Sequence, residues 1–238
     1  GNEKIATTIA VRDFAADRYL VFATEKGTIK KTALSEYGNP RAGGIIAINL
    51  DEGDRLLSVK NTDGSKHLFL ATADGMSIRF PEADCRPMGR ATAGVRGISL
   101  RKGDRVIGME ALEKEGAILT AAERGVGKRT PIAEYREQGR GGLGVINLKV
   151  GSKTGPVVGI AQVLPGDQLI LITQEGMIIR TAVDGIREIG RSTQGRSCRP
   201  SSRAPGRSST GWRNRRRRPP RRDRGPARGG PEPRPPRS

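Results

Sequence analysis

The sequence predicts an all-β fold, a propeller-like ring of about four repeated four-stranded units. Three observations lead to this prediction. A hairpin pattern recurs four times, with its turn glycines 48, 50 and 51 residues apart. A glycine-containing block follows each hairpin, and no segment shows the apolar spacing of an amphipathic helix. One sheet of four short strands cannot bury its own face, so neighbouring units must stack against each other.

Each unit opens with a short apolar strand, a polar pair and a glycine, and a second strand follows. Because glycine takes the positive φ that a tight turn requires, this pattern predicts a β-hairpin. The four hairpins cover residues 19–32, 67–80, 117–130 and 168–181, around Gly27, Gly75, Gly125 and Gly176.

The second shared block covers residues 42–50, 93–100 and 141–148, and its fourth occurrence breaks off after Gly195. Alternating apolar runs after the block predict further strands at 56–59, 106–109 and 157–160. The pattern therefore divides residues 1–195 into blades at about 5–60, 61–110 and 111–165, with an incomplete fourth at 166–195. Accidental similarity within an unrelated β-sandwich is the competing interpretation.

The charge is unevenly divided along the 238 residues. The chain has 43 Lys+Arg against 25 Asp+Glu, a net charge of +18. Residues 196–238 hold 15 of these arginines and two acids, whereas the first 195 residues carry a net charge of only +5. The repeat body and the tail therefore have to be interpreted separately.

Several functional classes are disfavoured by what the sequence contains. No apolar run is long enough to span a membrane, and one His with two distant cysteines disfavours a metal site or a disulfide framework. The nearest match to a phosphate-binding loop, at 127–130, has an Arg inserted and lies in a strand. The absence of an initiator Met suggests a fragment, and we expect a reducing bacterial cytoplasm and no catalytic residue, cofactor or metal in this chain.

Basic residues recur at equivalent positions. The fourth residue after every turn glycine is basic, and two units have a second base just before it. If the units surround an axis, equivalent positions form a belt that neutralises phosphates without reading bases. A solvated strand end is the alternative explanation for each base. The predicted DNA-binding set is Lys30, Lys31, Arg41, Arg79, Arg86, Arg90, Arg96, Lys128, Arg129, Arg136, Arg140, Arg180, Arg187 and Arg191.

At these repeats the chain resembles the C-terminal DNA-wrapping domain of bacterial DNA gyrase A, a β-pinwheel. The phrases that carry the resemblance lie at 71–75, 86–98, 125–135 and 189–195, and the corresponding domain of topoisomerase IV is the related alternative. The resemblance implies strand exchange between blades and a basic perimeter that binds and wraps double-stranded DNA without sequence specificity. It also implies a parent complex with the gyrase B polypeptide and a second gyrase A polypeptide, in which ATP and Mg²⁺ support supercoiling.

The sequence departs from that family in two respects. The segment Gln138–Gly144 lacks one Arg and the Lys of the family's wrapping signature, so we interpret it as the degenerate form of a later blade. The region with the nucleophilic tyrosine is absent, and Tyr19, Tyr37 and Tyr135 lie within repeats. A propeller-like scaffold that binds acidic proteins is the alternative function.

Residues 196–238 contain nine of the 15 prolines and no Val, Ile, Leu, Met, Phe or Tyr. This composition predicts a disordered basic tail. One hypothesis is an arm that adds non-specific DNA affinity. We favour the other, an out-of-frame reading of GC-rich DNA, because the repeat breaks where another apolar strand is expected.

Overall fold

The computed structural model describes residues 5–113 and 115–197, and its regular elements are β-strands and short 3₁₀ turns. The predicted all-β fold is confirmed. Four antiparallel hairpins stand where the glycine pattern places them. Their strands are β1 (Tyr19–Thr24), β2 (Thr28–Ala33), β4 (His67–Thr72), β5 (Met76–Pro81), β8 (Ala117–Ala122), β9 (Val126–Pro131), β12 (Gln168–Ile172) and β13 (Ile178–Ala182).

A longer strand pairs with the first strand of each of the first three hairpins. These strands contain the apolar runs that the sequence singled out after each glycine block. They are β3 (Leu56–Thr62), β7 (Val106–Leu112) and β11 (Val157–Val163), which pair antiparallel with β1, β4 and β8.

The fourth strand of each complete sheet comes from the following unit. The glycine blocks supply three two-residue strands, β6 (Val95–Arg96), β10 (Val145–Ile146) and β14 (Arg196–Ser197). They pair with β2, β5 and β9 respectively, so every complete blade takes its last strand from the next one. The sheet orders are β3-β1-β2-β6, β10-β5-β4-β7 and β11-β8-β9-β14. The strand exchange implied by the resemblance is therefore present.

The fourth sheet contains only β12 and β13 among the described residues. Three of its apolar side chains are open, because no following blade covers them within the described residues: Ile170, Ile172 and Ile178 are 63–67% exposed. The equivalent residues of the second blade, Phe69, Ala71 and Ser77, are buried, and Phe69 and Ala71 pack against the third blade.

The core lies between blades. Val21 and Ile29 of the first blade pack with Leu68, Ile78 and others of the second. A second cluster joins Phe69 and Ala71 to the third blade, and a third joins that blade to the fourth. Burial between sheets is what drives the units to stack.

A 3₁₀ turn follows the second strand of every hairpin. These turns span Leu34–Tyr37, Glu82–Asp84, Ile132–Glu134 and Val183–Gly185. After the last three turns the chain runs to the preceding blade, where the glycine block pairs as the exchanged strand.

Just after the expected end of the repeat body at residue 195, Arg196 and Ser197 pair with Gly127 and Val126 as β14. The rest of the predicted disordered tail, 198–238, lies outside the described residues. None of the described residues forms a helix with the length and hydrophobicity of a membrane span.

Candidate nucleic-acid interface

The base at the fourth position after the turn glycine ties one blade to the next. In the first blade it is Lys31, whose side chain is 6% exposed and whose Nζ lies 3.1 Å from Oε1 of the fully buried Glu82. The same carboxylate oxygen accepts a 2.7 Å hydrogen bond from Thr62. Glu82 begins the 3₁₀ turn of the second blade, so this ion pair joins the two blades.

The equivalent arginines make the same connection with backbone carbonyls. Arg79 of the second blade donates to the carbonyl oxygens of Ile132 and Tyr135, at 3.3 and 3.2 Å. Arg129 of the third blade donates to the carbonyl of Ile186 at 2.9 Å, and it pairs with Asp184. In both cases the acceptors lie at the 3₁₀ turn of the following blade.

The fourth member of this register, Arg180, has no such partner in the described part of the chain. It is exposed and donates to Gln168 of its own hairpin at 2.5 Å. The prediction of an outward belt at this register is therefore wrong for Lys31, Arg79 and Arg129. Their side chains are drawn inward because the next blade offers anionic and carbonyl acceptors there.

The preceding register holds two buried lysines, Lys30 and Lys128, neither of which has any exposed surface. Lys128 Nζ donates to the carbonyls of Gly190 and Arg191, and Lys30 Nζ donates to those of Ala47 and Arg90. Burial lowers the pKa of Lys30, and it lowers the pKa of Lys128 to about 8. Both lysines were predicted to contact DNA, and both instead hold glycine-block loops against a blade.

The loop arginines that follow the 3₁₀ turns are exposed to solvent, unlike the bases bound at the blade junctions. In the second, third and fourth units a buried residue follows the turn, Cys85, Tyr135 or Ile186. The next residue points away from that core and is an exposed arginine in three successive blades. These three equivalent residues, which we call the loop triad, are Arg86, Arg136 and Arg187.

The remaining predicted bases fall into two groups. Arg140 donates to the carbonyls of Asp84 and Arg96, and Arg191 donates to the carbonyl of Ile146, so both bind backbone of the preceding unit. Nε of Arg90 lies 3.9 Å from Oε2 of Glu36. Arg41 and Arg96 form the second group, and both are exposed, as is Arg140.

Sequence reasoning missed a second group of exposed bases, at the turn ends of the hairpins. Arg55 and Arg105 end a repeated Gly-Asp-Arg motif, and Arg101 lies beside it. The repetition of the Gly-Asp-Arg motif in two units could have pointed to these bases. Its aspartates are structural, because Asp54 and Asp104 accept hydrogen bonds from backbone N–H groups of the adjacent hairpin turns.

The side chains of Cys85 and Tyr135 are buried in the packing between blades. Burial raises the pKa of the Cys85 thiol to about 11. The Tyr135 hydroxyl is buried and donates to Asn147 at 2.6 Å, and its ring meets Phe69 edge-on at 4.9 Å between ring centres. Within the described residues no group of three or more His, Cys, Asp or Glu is arranged to hold a metal ion.

Comparisons with known proteins agree with this architecture. The family model described as the DNA gyrase C-terminal domain, beta-propeller, matches residues 18–63, 66–113, 117–163 and 167–199. DNA gyrase A of Salmonella typhimurium is 45% identical over 194 residues, which are 82% of this chain and 22% of that protein. DNA gyrase A of Halalkalibacterium halodurans is 56% identical over 194 residues, which are 82% of this chain and 23% of that protein. The chain therefore spans less than a quarter of these relatives.

Two solved structures share the fold. The C-terminal domain of DNA topoisomerase IV superposes with a TM-score of 0.78 and 29% identity, over 83% of this chain and 62% of that one. The DNA gyrase A C-terminal domain superposes with a TM-score of 0.71 and 26% identity, over 78% of this chain and 62% of that one. The matched segments of the family model follow the four hairpin units one by one, in the blade order that the exchanged strands define. The chain belongs to the DNA gyrase C-terminal β-propeller family.

Proposed function

We propose that this chain binds double-stranded DNA without sequence specificity and wraps it as a module of a type II topoisomerase, DNA gyrase. The observation that carries the proposal is the loop triad, which repeats one exposed arginine at one position in three successive blades of a gyrase-family domain. Guanidinium groups pair well with phosphates, and phosphate contacts carry no base information.

Wrapping follows from the repetition. A duplex that contacts one arginine after another around stacked blades must bend, and the bending energy is offset by the additional phosphate contacts. Arg41 and Arg96 are exposed as well, so both are available to contact phosphate. In contrast, the bases buried at blade junctions belong to the scaffold that holds the triad in place.

The proposal extends to the parent complex by family membership. The gyrase B polypeptide and a second gyrase A polypeptide are the proposed partners, with ATP and Mg²⁺ used elsewhere in that complex and the bacterial cytoplasm as its location. Guiding DNA for strand passage is the proposed contribution of this chain. Breaking and rejoining DNA is assigned to a part of the enzyme that this sequence does not contain.

The test compares two variants that lose the same number of charges. One replaces the loop triad with alanine, and the other replaces Arg55, Arg101 and Arg105 at the hairpin-turn end. Binding to linear duplexes of unrelated sequence is measured between about 50 and 200 mM salt. Each lost phosphate contact reduces the slope of log affinity against log salt by about 0.9, so the triad variant should lose up to roughly 2.7.

The matched variant should keep the slope of the unmodified chain. Equal losses in both variants would show a diffuse charge effect and would contradict the assigned surface. An unmodified chain that binds DNA with no salt dependence, or prefers acidic proteins to DNA, would favour the scaffold alternative.

A further inference from the structure

One residue follows directly after each arginine of the loop triad, and it lies at a blade junction. The three residues are Pro87, Glu137 and Glu188. In all three units the next backbone N–H donates to the carbonyl of the fourth-position base of the preceding blade. The backbone therefore holds these three residues at equivalent places beside the triad.

An acid at this place would repel the phosphate that the neighbouring arginine binds. Pro87 carries no charge, and each of the two acids is paired with a base of the preceding blade. Oε2 of Glu188 lies 3.9 Å from Nε of Arg129, on β9. Oε2 of Glu137 lies 2.6 Å from Nε2 of His67, on β4. The two bases differ in one respect: a guanidinium keeps its proton throughout the neutral range, whereas an imidazole does not.

The surroundings of His67 leave Glu137 as its ionic partner. The His67 side chain is 33% exposed, and on its two neighbouring strands it lies opposite Pro81 and Leu112, which carry no charge. The charged groups beside it pair with one another, and they are Asp63, Lys66 and Glu113. Arg18 of the first blade interacts electrostatically with Lys66. Glu137 is therefore the acid that the imidazole contacts in the described residues.

We propose that His67 is a positioning residue for the loop triad, because its protonated ring neutralises Glu137 and so strengthens the grip of Arg136 on phosphate. This inference rests on the proposed DNA-binding function. The imidazole is the side chain that ordinarily changes its charge between about pH 5 and 8. His67 is the only histidine among the 238 residues. One contact of the triad thus follows pH, and the contact beside Glu188 does not.

The direction follows from the charge of the pair. With His67 protonated, the pair with Glu137 is neutral, and after the proton is lost the pair carries one negative charge beside Arg136. Affinity for DNA should therefore fall as the pH rises. One charge a few ångströms from a phosphate in a solvated setting changes affinity by about twofold to fivefold, and less at high salt.

The test measures binding of the full chain to a labelled linear duplex by fluorescence anisotropy, at constant salt, from about pH 5.5 to 7.5. The unmodified chain should bind about twofold to fivefold more weakly at the upper pH. Glu137→Gln should bind tightly across the range, because no acid remains beside Arg136. His67→Gln should bind weakly across the range, because the acid is never neutralised.

Glu188→Gln is the matched control. It removes the equivalent acid of the next unit, whose partner Arg129 does not titrate, so the pH dependence of the unmodified chain should persist. Loss of the pH dependence in Glu188→Gln, or its persistence in Glu137→Gln or His67→Gln, would overturn the inference.

A measurement without DNA examines the pair itself. The carboxyl carbon-13 signal of Glu137, assigned by its loss in Glu137→Gln, should shift in step with the His67 ring signal as pH changes. A carboxyl signal that ignores the ring would overturn the inference even if the chain binds DNA. A chain that binds no DNA at any pH would contradict the proposed function, and the inference would fall with it. Salt-dependent binding that does not vary with pH would overturn the inference alone.

Discussion

At the residue scale, the recurrent bases of this chain serve two different purposes that the sequence alone does not separate. A base in the second hairpin strand meets the next blade and is bound there by a carboxylate or by carbonyls, as with Lys31 and Arg129. A base that follows a 3₁₀ turn meets solvent, as with Arg136. The distinction is set by whether a following unit packs against the side chain.

Lys128 provides a prediction about pH. Its pKa of about 8 in the fold lies below its ordinary value of 10.5, because burial penalises the charged form. Between pH 8 and 10.5 the unfolded chain therefore binds more protons than the folded chain, and the free energy of unfolding should rise with pH across this window.

The measurement is thermal or urea unfolding at intervals from about pH 7.5 to 10.5, for the unmodified chain and for Lys128→Met. The variant lacks the titrating ammonium and should show a shallower rise. Identical pH slopes in the two proteins would contradict a lowered pKa at Lys128.

At the element scale, the blade junctions contribute stability through the fourth-position bases. Lys31→Ala leaves the buried Glu82 carboxylate without its cation, and removal of one partner from a buried ion pair costs about 3–5 kcal/mol. Arg180→Ala changes the equivalent residue of the fourth blade, which is exposed, and should alter stability by less than about 0.5 kcal/mol.

Urea unfolding of the two variants measures this difference. Lys31→Met combined with Glu82→Leu should recover much of the loss, since it removes both buried charges together. If Lys31→Ala and Arg180→Ala are equally stable, the Lys31–Glu82 pair does not hold the junction.

Strand exchange depends on a close backbone approach at Gly144. Its φ is +75°, and an added Cβ would lie 2.2 Å from the carbonyl oxygen of Ser77 on β5. Gly103 has a similar φ of +83°, but nothing lies within 4 Å of its added Cβ. Gly103→Ala therefore reports the conformational cost alone, about 1–2 kcal/mol.

Gly144→Ala should cost at least about 1–3 kcal/mol more, because β10 must move away from β5. Urea midpoints compare the two variants, and amide exchange at Ser77 shows whether the pairing of β10 with β5 has loosened. Equal stabilities would show that the close approach of the glycine block is not required for exchange.

At the scale of the whole molecule, exchange links each blade to the next and places equivalent loops in sequence along the described body. The loop triad repeats in step with the blades, so a duplex bound to it is expected to curve. Relaxing a closed plasmid with a nicking-closing enzyme in the presence of the chain should then change its linking number.

The loop-triad alanine variant is the control for that plasmid experiment. It retains the blade junctions and should fold, yet it should leave the linking number near that of the plasmid relaxed alone. If this variant changes the linking number as much as the unmodified chain does, Arg86, Arg136 and Arg187 are not needed for wrapping.

Much of the fold could be predicted because its signals are local. The four hairpins, their glycine turns and the strands at β3, β7 and β11 each follow from a short stretch of sequence. The pairing partners of the glycine blocks could not be predicted from local signals, because the pairing of β6 with β2 joins residues that are distant in the chain. Only the resemblance to a known family implied such exchange.

The repeat, the hairpins and the positions where basic residues recur can all be read from the amino-acid order, because turn chemistry and apolar alternation act over a few residues. Which of those bases reach solvent depends on how the blades pack. Lys31 and Arg86 are both basic residues at repeated positions, but one packs against a carboxylate of the next blade and the other projects beyond the buried end of a 3₁₀ turn. Burial depends on the neighbouring blade, and no local pattern contains that information.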